Sequence, residues 1–138
     1  MALIIDTGPL YASLDRRDAY HAVCRALIDD TEEELVIPAP VLVEVDYFVH
    51  QAGRPESRRA FLNDILTGAY RIESLVPEDY VRVRDLCERY ADARVGFVDA
   101  AVLAIVERLN EPKLATLDRR HFGLMPPRHV ASLKLLPQ

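Results

Sequence analysis

Four acids in this chain stand where a carboxylate is costly to keep. Asp6 ends the apolar run Ala2-Leu3-Ile4-Ile5, and Asp118 ends Leu114-Ala115-Thr116-Leu117. Glu44 borders the helical stripe Val41, Val45, Phe48, and Asp99 is the only charge in the first nine residues of the apolar stretch that begins at Phe97. Carboxylates gathered in such places lose solvation and repel one another, so some take up protons. A hard divalent cation relieves both penalties, and Mg²⁺ or Mn²⁺ takes oxygen ligands from carboxylates and water. No Cys/His cluster competes for zinc. An acid-held cation of this kind acidifies a bound water and stabilises a leaving oxygen, which points to metal-assisted phosphodiester hydrolysis. Beside the fourth acid, Arg119-Arg120-His121 offers a phosphate contact, although at least one of these residues is expected in a solvated turn. Thr116 offers a hydroxyl to a ligand carboxylate or to a metal-bound water; its plainer role is a β-former facing a neighbouring strand. Each acid also has a bland reading: a turn-former at Asp6, a dipole-complementing first-turn acid at Asp99, a half-exposed helix residue at Glu44. The conjunction is what points to a site.

The elements that must position these acids follow from hydrophobic period and punctuation. The uninterrupted apolar run before Asp6 predicts a strand covered on both faces, as in a parallel sheet. Strands are also expected at Leu35-Val36-Ile37, Tyr70–Leu75, Lys113–Leu117 and Val130–Leu136. Helices are expected from Pro9 to Leu14, Ala19 to Asp30, Ala39 to Ala52, Pro55 to Leu66, Pro77 to about Ala91, and Phe97 to Leu109. Prolines open several of them, and Gly53 and Gly68 close two. Buried faces are expected at Tyr20, Val23, Cys24, Leu27 and Ile28; at Val41, Val45, Phe48, Val49 and Ala52; and at Tyr80, Val83, Leu86, Cys87 and Tyr90. His21 and Asp46 fall outside these stripes and are expected in solvent, and 91–96 is expected as a loop. The acids Glu78 and Asp79 suit the positive end of a helix dipole. Together these elements predict an α/β fold in three layers, a mostly parallel central sheet of four to five strands flanked by helices. In a parallel sheet Asp6 and Asp118 emerge at the same edge, where open α/β sheets place their ligands.

At 138 residues the chain is expected to form one domain, residues 1–138. Half of it is apolar and 28% is charged, an ordinary globular balance. A net charge of −5 excludes a broad basic face for nucleic acid but leaves room for a local one. Of 17 basic residues only Lys113 and Lys134 are lysines, and the remainder are arginines, whose planar fork suits phosphate. Cys24 and Cys87 lie far apart in predicted helices and are expected as buried thiols in a reducing compartment. No signal-like segment and no apolar run of membrane-spanning length is found, so a cytoplasmic protein without a membrane partner is expected.

Four short motifs, in order, resemble those of PIN-domain ribonucleases, and specifically the VapC-type toxins of VapBC toxin–antitoxin pairs. They are Leu3-Ile4-Ile5-Asp6-Thr7, Pro40-Val41-Leu42-Val43-Glu44, Val98-Asp99-Ala100-Ala101 and Ala115-Thr116-Leu117-Asp118-Arg119-Arg120-His121-Phe122. The resemblance implies a PIN-like fold, with Asp6, Glu44, Asp99 and Asp118 as the catalytic, metal-binding acids. Beside these acids, Thr7, Thr116, Arg119 and Arg120 are expected in supporting or substrate-binding roles. The resemblance also implies a Mg²⁺- or Mn²⁺-dependent endoribonuclease acting on structured RNA such as tRNA or ribosomal RNA, a homodimer, and a cognate VapB-type antitoxin. One departure stands out: the family often carries Ser or Asn two residues after the first Asp, where this chain has Gly8. Asp92 is not promoted to the acidic set.

Three other readings compete with this one. Asp6-Thr7-Gly8 matches the aspartic-protease signature, but those enzymes are all-β with glycine-rich flaps, and this chain is helical with 5 glycines. A receiver-like signalling domain needs an Asp on a middle strand and a Lys at a late strand end; here the second strand ends in Pro38, and Lys113 begins its strand. A PIN-like domain without activity, or one standing alone as an RNA- or protein-binding module, is the remaining alternative.

Overall fold

The computed structural model describes residues 1–138. Strand β1 (Ala2–Ile4) leads into helix α1 (Thr7–Leu14), and α2 (His21–Asp30) returns the chain to β2 (Glu34–Pro38). Helices α3 (Ala39–Gln51) and α4 (Pro55–Leu66) precede β3 (Arg71–Glu73). After α5 (Pro77–Arg89) a 3₁₀ turn (Ala91–Ala93) leads to α6 (Phe97–Arg108), β4 (Lys113–Ala115), α7 (Arg119–Leu124) and β5 (Lys134–Leu136). Pairing is parallel throughout: β1 with β2, β2 with β3, and β4 with β5. A parallel bridge between Ile5 and Ala115, with the Asp6 amide donating to the Ala115 carbonyl at 2.9 Å, joins the two halves. The strand order is therefore β3-β2-β1-β4-β5, with β1 at the centre. That is the expected parallel α/β sheet, and the strand carrying Asp6 is its middle.

The core explains the order. Leu3, Ile4 and Ile5 are buried with Val36, Ile37, Leu114 and Ala115, and residues 100–106 of α6 are buried on every side. Helix α6 is thus the interior helix that its all-round apolar sequence predicted. The far edge of the sheet is held by charge. Lys113 Nζ lies 2.7 Å from Glu33 and 3.7 Å from Glu111, and Glu111 accepts the Ala2 amide at 2.9 Å. Helix α5 is held against α6 by Arg82, whose guanidinium makes a two-pronged pair with Glu107 at 2.8 and 2.9 Å.

Several expectations are corrected. Helix α1 begins at Thr7 rather than Pro9, because Asp6 is already its cap residue. Helix α2 begins at His21: Asp18 accepts the Tyr20 amide at 2.8 Å and lengthens the polar turn, a local bond that competes with helix. Tyr20, Val23, Phe48 and Tyr80 are exposed rather than buried, and Ala52, Cys87 and Tyr90 are half-buried. Tyr20 stands before α2 begins, and Phe48 and Tyr80 are only partly covered, by the rings of Tyr11 and Phe97. His21 is not simply solvated; its Nδ1 donates to the Ala12 carbonyl at 2.7 Å. Asp79 does more than complement a dipole, since it is buried, accepts the Val76 amide at 3.0 Å and pairs with Arg108 at 3.1 Å. Strand β4 stops at Ala115 and β5 covers only Lys134–Leu136, because 126–133 runs as irregular chain through Pro126 and Pro127. Helix α7 and the 3₁₀ turn were not expected at all.

Candidate metal centre

Three of the four acids are delivered by element ends. Asp6 follows β1 and caps α1, Asp99 lies in the first turn of α6, and Asp118 caps α7. Glu44 comes from the interior of α3, one position before the buried Val45. The sequence folds this way locally because strands β1 and β4 run side by side in the same direction, so both aspartates leave the sheet at one edge. Thr116 ties the two together. Its buried hydroxyl donates to Asp6 Oδ2 at 2.8 Å and accepts the Asp118 amide at 3.0 Å. Of the two roles weighed for Thr116, contact with a candidate ligand carboxylate is the one observed.

Asp6 is only 5% exposed, and burial pushes its carboxyl up to about 7. The Thr116 hydroxyl and the Thr7 amide oppose that rise, while the charges of Asp99 and Glu44 add to it. Asp99 is raised as well, by burial first and then by the charge of Asp118, with His121 and the Gly96 amide opposing and Glu44 contributing. The charges of Asp6, Glu44 and Asp99 therefore act on one another, and that of Asp118 acts on Asp99.

His121 stands in a basic run of the sequence, yet in the fold it belongs to the acidic group. Its Nδ1 lies 2.8 Å from Asp118 Oδ2 and 3.6 Å from Asp99 Oδ2, and its Nε2 lies 3.0 Å from the Ala93 carbonyl. A carbonyl and a carboxylate can only accept, so both ring nitrogens donate and the ring is held as imidazolium. Its pKa is raised, chiefly by the bond to Asp118, then by Ala93. Asp118 Oδ1 also accepts the His121 amide at 3.0 Å, so residue and side chain are clamped together. The signal was present in the sequence: Asp at a helix cap with His three residues on is a pairing that a first turn brings into contact.

The remaining candidates divide. Thr7 is buried beside Asp6, and its hydroxyl has no hydrogen-bond partner. The Arg119 guanidinium donates to the Pro137 carbonyl, which fastens the residue after β5. Arg120 is exposed, as is Asp92 in the 3₁₀ turn.

This donor set fits a divalent cation. Asp99 and Asp118 offer carboxylate oxygens that lie, with a His121 ring nitrogen, within 4.8 Å of one another, so a positive group already sits against these two acids. Asp6 is buried among like charges with one oxygen bonded to a hydroxyl, and the orphaned Thr7 hydroxyl lies alongside. Oxygen donors dominate and thiols are absent, which is the chemistry of a hard ion.

The PIN-domain family profile matches residues 3–124 of the chain. Ribonuclease VapC26 of Mycobacterium tuberculosis is 30% identical over 125 residues, covering 91% of this chain and 93% of that protein. Among solved structures, VapC20 of Mycobacterium tuberculosis, a sarcin–ricin loop cleaving toxin, superposes with a TM-score of 0.80 at 17% identity, covering 94% of this chain and 98% of that one. VapBC2 of Rickettsia felis, solved bound to a DNA fragment from its promoter, gives 0.69 at 18% identity, covering 98% and 97%. The structural likenesses are likenesses of fold; the matched residues and the sequence identity carry the kinship. The chain belongs to the PIN-domain family and is, within it, a relative of the VapC ribonucleases.

Proposed function

We propose that this protein is a Mg²⁺- or Mn²⁺-dependent endoribonuclease that cuts structured RNA such as tRNA or ribosomal RNA, and that it is the toxin of a toxin–antitoxin pair. The observation that carries this reading is Asp6, a carboxylate buried beside the charges of Asp99 and Glu44, raised to about 7 by burial, and linked through Thr116 to Asp118. Such a group gains a great deal from a cation and very little from water.

Asp6, Glu44, Asp99 and Asp118 are the proposed ligands and catalytic acids. Bound there, a divalent ion would acidify a water and neutralise charge building on the phosphoryl oxygens. Thr116 fixes the rotamer of Asp6 and, through the Asp118 amide, the start of α7. His121 orients Asp118 and dilutes the repulsion between Asp118 and Asp99 until a cation replaces it. Arg120 is free to meet a phosphate, while Arg119 is engaged. A VapB-type antitoxin as inhibitor and a homodimer as the working form follow from kinship with the VapC ribonucleases.

The test is cleavage by the purified, antitoxin-free protein of tRNA and ribosomal RNA, with Mg²⁺ or Mn²⁺ and with EDTA. Cleavage confined to the metal-containing reactions, and lost in folded Asp6→Asn and Asp99→Asn, is expected. Equal cleavage in EDTA would overturn the mechanism.

A further inference from the structure

Beside the acids lies a hollow of about 530 Å³ that the proposed chemistry does not use. Thr7, Gly8, Tyr11, Asp18, Phe48 and Leu117 line most of it. Two of these residues are chain neighbours of the acids: Thr7 follows Asp6, and Leu117 precedes Asp118. The hollow therefore opens one residue along the chain from two of the four acids, although no acid of the four lines it. Its walls are aromatic. The Tyr11 and Phe48 rings meet edge to face at 6.0 Å and 67°, and Tyr47 meets Phe48 at 5.6 Å and 71°.

Three features separate this hollow from an ordinary gap. Phe48 is 43% exposed and Tyr47 56%, a degree of aromatic exposure that costs solubility unless something covers it. Tyr11 is held in place, because its hydroxyl donates to Asp15 at 2.7 Å. Its ring is a fixed platform rather than a mobile one. The floor is Gly8: a Cβ there would sit 3.3 Å from Leu117 Cβ, so a side chain at this position would crowd the floor and occupy the space above it. At the rim, Asp18 uses Oδ1 for the Tyr20 amide and keeps a second oxygen, and Gln51 adds an amide.

We infer that this hollow is a nucleobase subsite, taking one unstacked base of the RNA strand next to the phosphate that the acids attack. The inference rests on the ribonuclease reading above. Flat apolar walls, a fixed ring and hydrogen-bonding groups confined to the rim match how single-stranded bases are held: stacked on aromatic side chains and read along one edge. The rim acceptor on Asp18 favours a base edge that presents N–H donors. Thr7 and Leu117, each the chain neighbour of a proposed ligand, place the hollow beside the strand ends that carry Asp6 and Asp118, which favours an occupant belonging to the strand being cut.

The probe is a short single-stranded RNA carrying one 2-aminopurine, a base whose emission falls on stacking, titrated into the wild-type protein in EDTA so that the strand stays intact. Cleavage kinetics on tRNA in Mn²⁺ run in parallel. Quenching on binding is expected, with affinity about tenfold weaker and KM about tenfold higher in Phe48→Ala, as for the loss of one base–aromatic stack. Phe48→Tyr keeps the ring and should keep both values; circular dichroism verifies that both variants are folded. If Phe48→Ala cuts RNA with an unchanged KM, the subsite is wrong and the nuclease reading stands. If the wild type neither binds nor cuts RNA, the nuclease reading fails and takes the subsite with it. If Phe48→Ala turns a dimer into a monomer in sedimentation, or abolishes antitoxin binding, while quenching and KM stay at wild-type values, a protein surface covers this face and the subsite is overturned.

Discussion

Asp6→Asn should inactivate the protein and stabilise its metal-free form at the same time. In the folded chain the Asp6 carboxyl is raised from 3.8 to about 7, chiefly by burial. A group whose folded pKa exceeds its unfolded one binds more protons in the native state between the two values, so stability falls as pH rises through that window. Asp99 is raised in the same sense, and so is His121 above its ordinary 6.5, which extends the decline upward rather than cancelling it. With the carboxyl raised from 3.8 to about 7, ionising it costs roughly 4 kcal/mol by pH 7.5. Asparagine keeps an oxygen for the Thr116 hydroxyl and presents N–H groups to the remaining acids. It should recover most of that cost, a rise of roughly 10 °C in Tm for a domain of this size. The assay is thermal unfolding in EDTA from pH 5 to 8, with wild type and variant side by side. Wild-type Tm should fall across the range, and the variant's should fall much less. Added Mn²⁺ should reverse the order, because mass action stabilises only the form that binds the ion. A variant less stable than wild type in EDTA at pH 7.5, or a wild type indifferent to Mn²⁺, would refute the reasoning.

Thr116→Val removes a buried hydroxyl that serves Asp6 and the Asp118 amide. RNA cleavage should drop about 10- to 100-fold with a higher half-saturating Mn²⁺ concentration, as for other groups that orient ligands; kinetics across a Mn²⁺ series check it. Arg82→Met leaves Glu107 on α6 without its partner, and it should cost about 3 kcal/mol, roughly 10 °C in Tm. Chemical denaturation measures the loss, and cleavage per folded molecule should be unchanged because the pair lies outside the site. At pH 6 Mn²⁺ binding should release at least one proton from Asp6 and its neighbours, a release diminished in Asp6→Asn. Calorimetry in two buffers of different ionisation heat counts the protons.

The acids were legible because their surroundings were. An apolar run that stops at an aspartate says where a strand ends and what it presents, and the all-round apolar α6 announces that Asp99 begins a buried helix. What eluded the sequence was set by contacts between distant segments. His121 looks like one more basic residue beside Arg119 and Arg120 until α7 folds its ring back onto Asp118 and the 3₁₀ turn offers the Ala93 carbonyl. Phe48 fits the stripe of α3 by spacing, but the Tyr11 ring covers it only in part, so an apolar position became an exposed one. Strand β5 was overestimated because β-branched Val130 belongs to a loop whose prolines at 126 and 127 outweigh it. Gly8 was legible as a departure from its family, and only the approach of Leu117 gives it a consequence.

The central strand raises a different matter. A strand with one wet face rejects a slip of one residue, because every side chain would turn over. Residues 2–5 are buried on both faces, so their pattern alone cannot tell one alignment from the next. The marks that fix it are polar and lie at its two ends: the Ala2 amide on Glu111, and Asp6 on Ala115 and Thr116. The proposed metal ligand is thus also the chain's alignment stop. Selection acting on the acid for chemistry would also preserve the pairing of the sheet, and a variant lacking both marks, Thr116→Val with Glu111→Ala, should populate more than one strand alignment, visible as doubled amide resonances from β1.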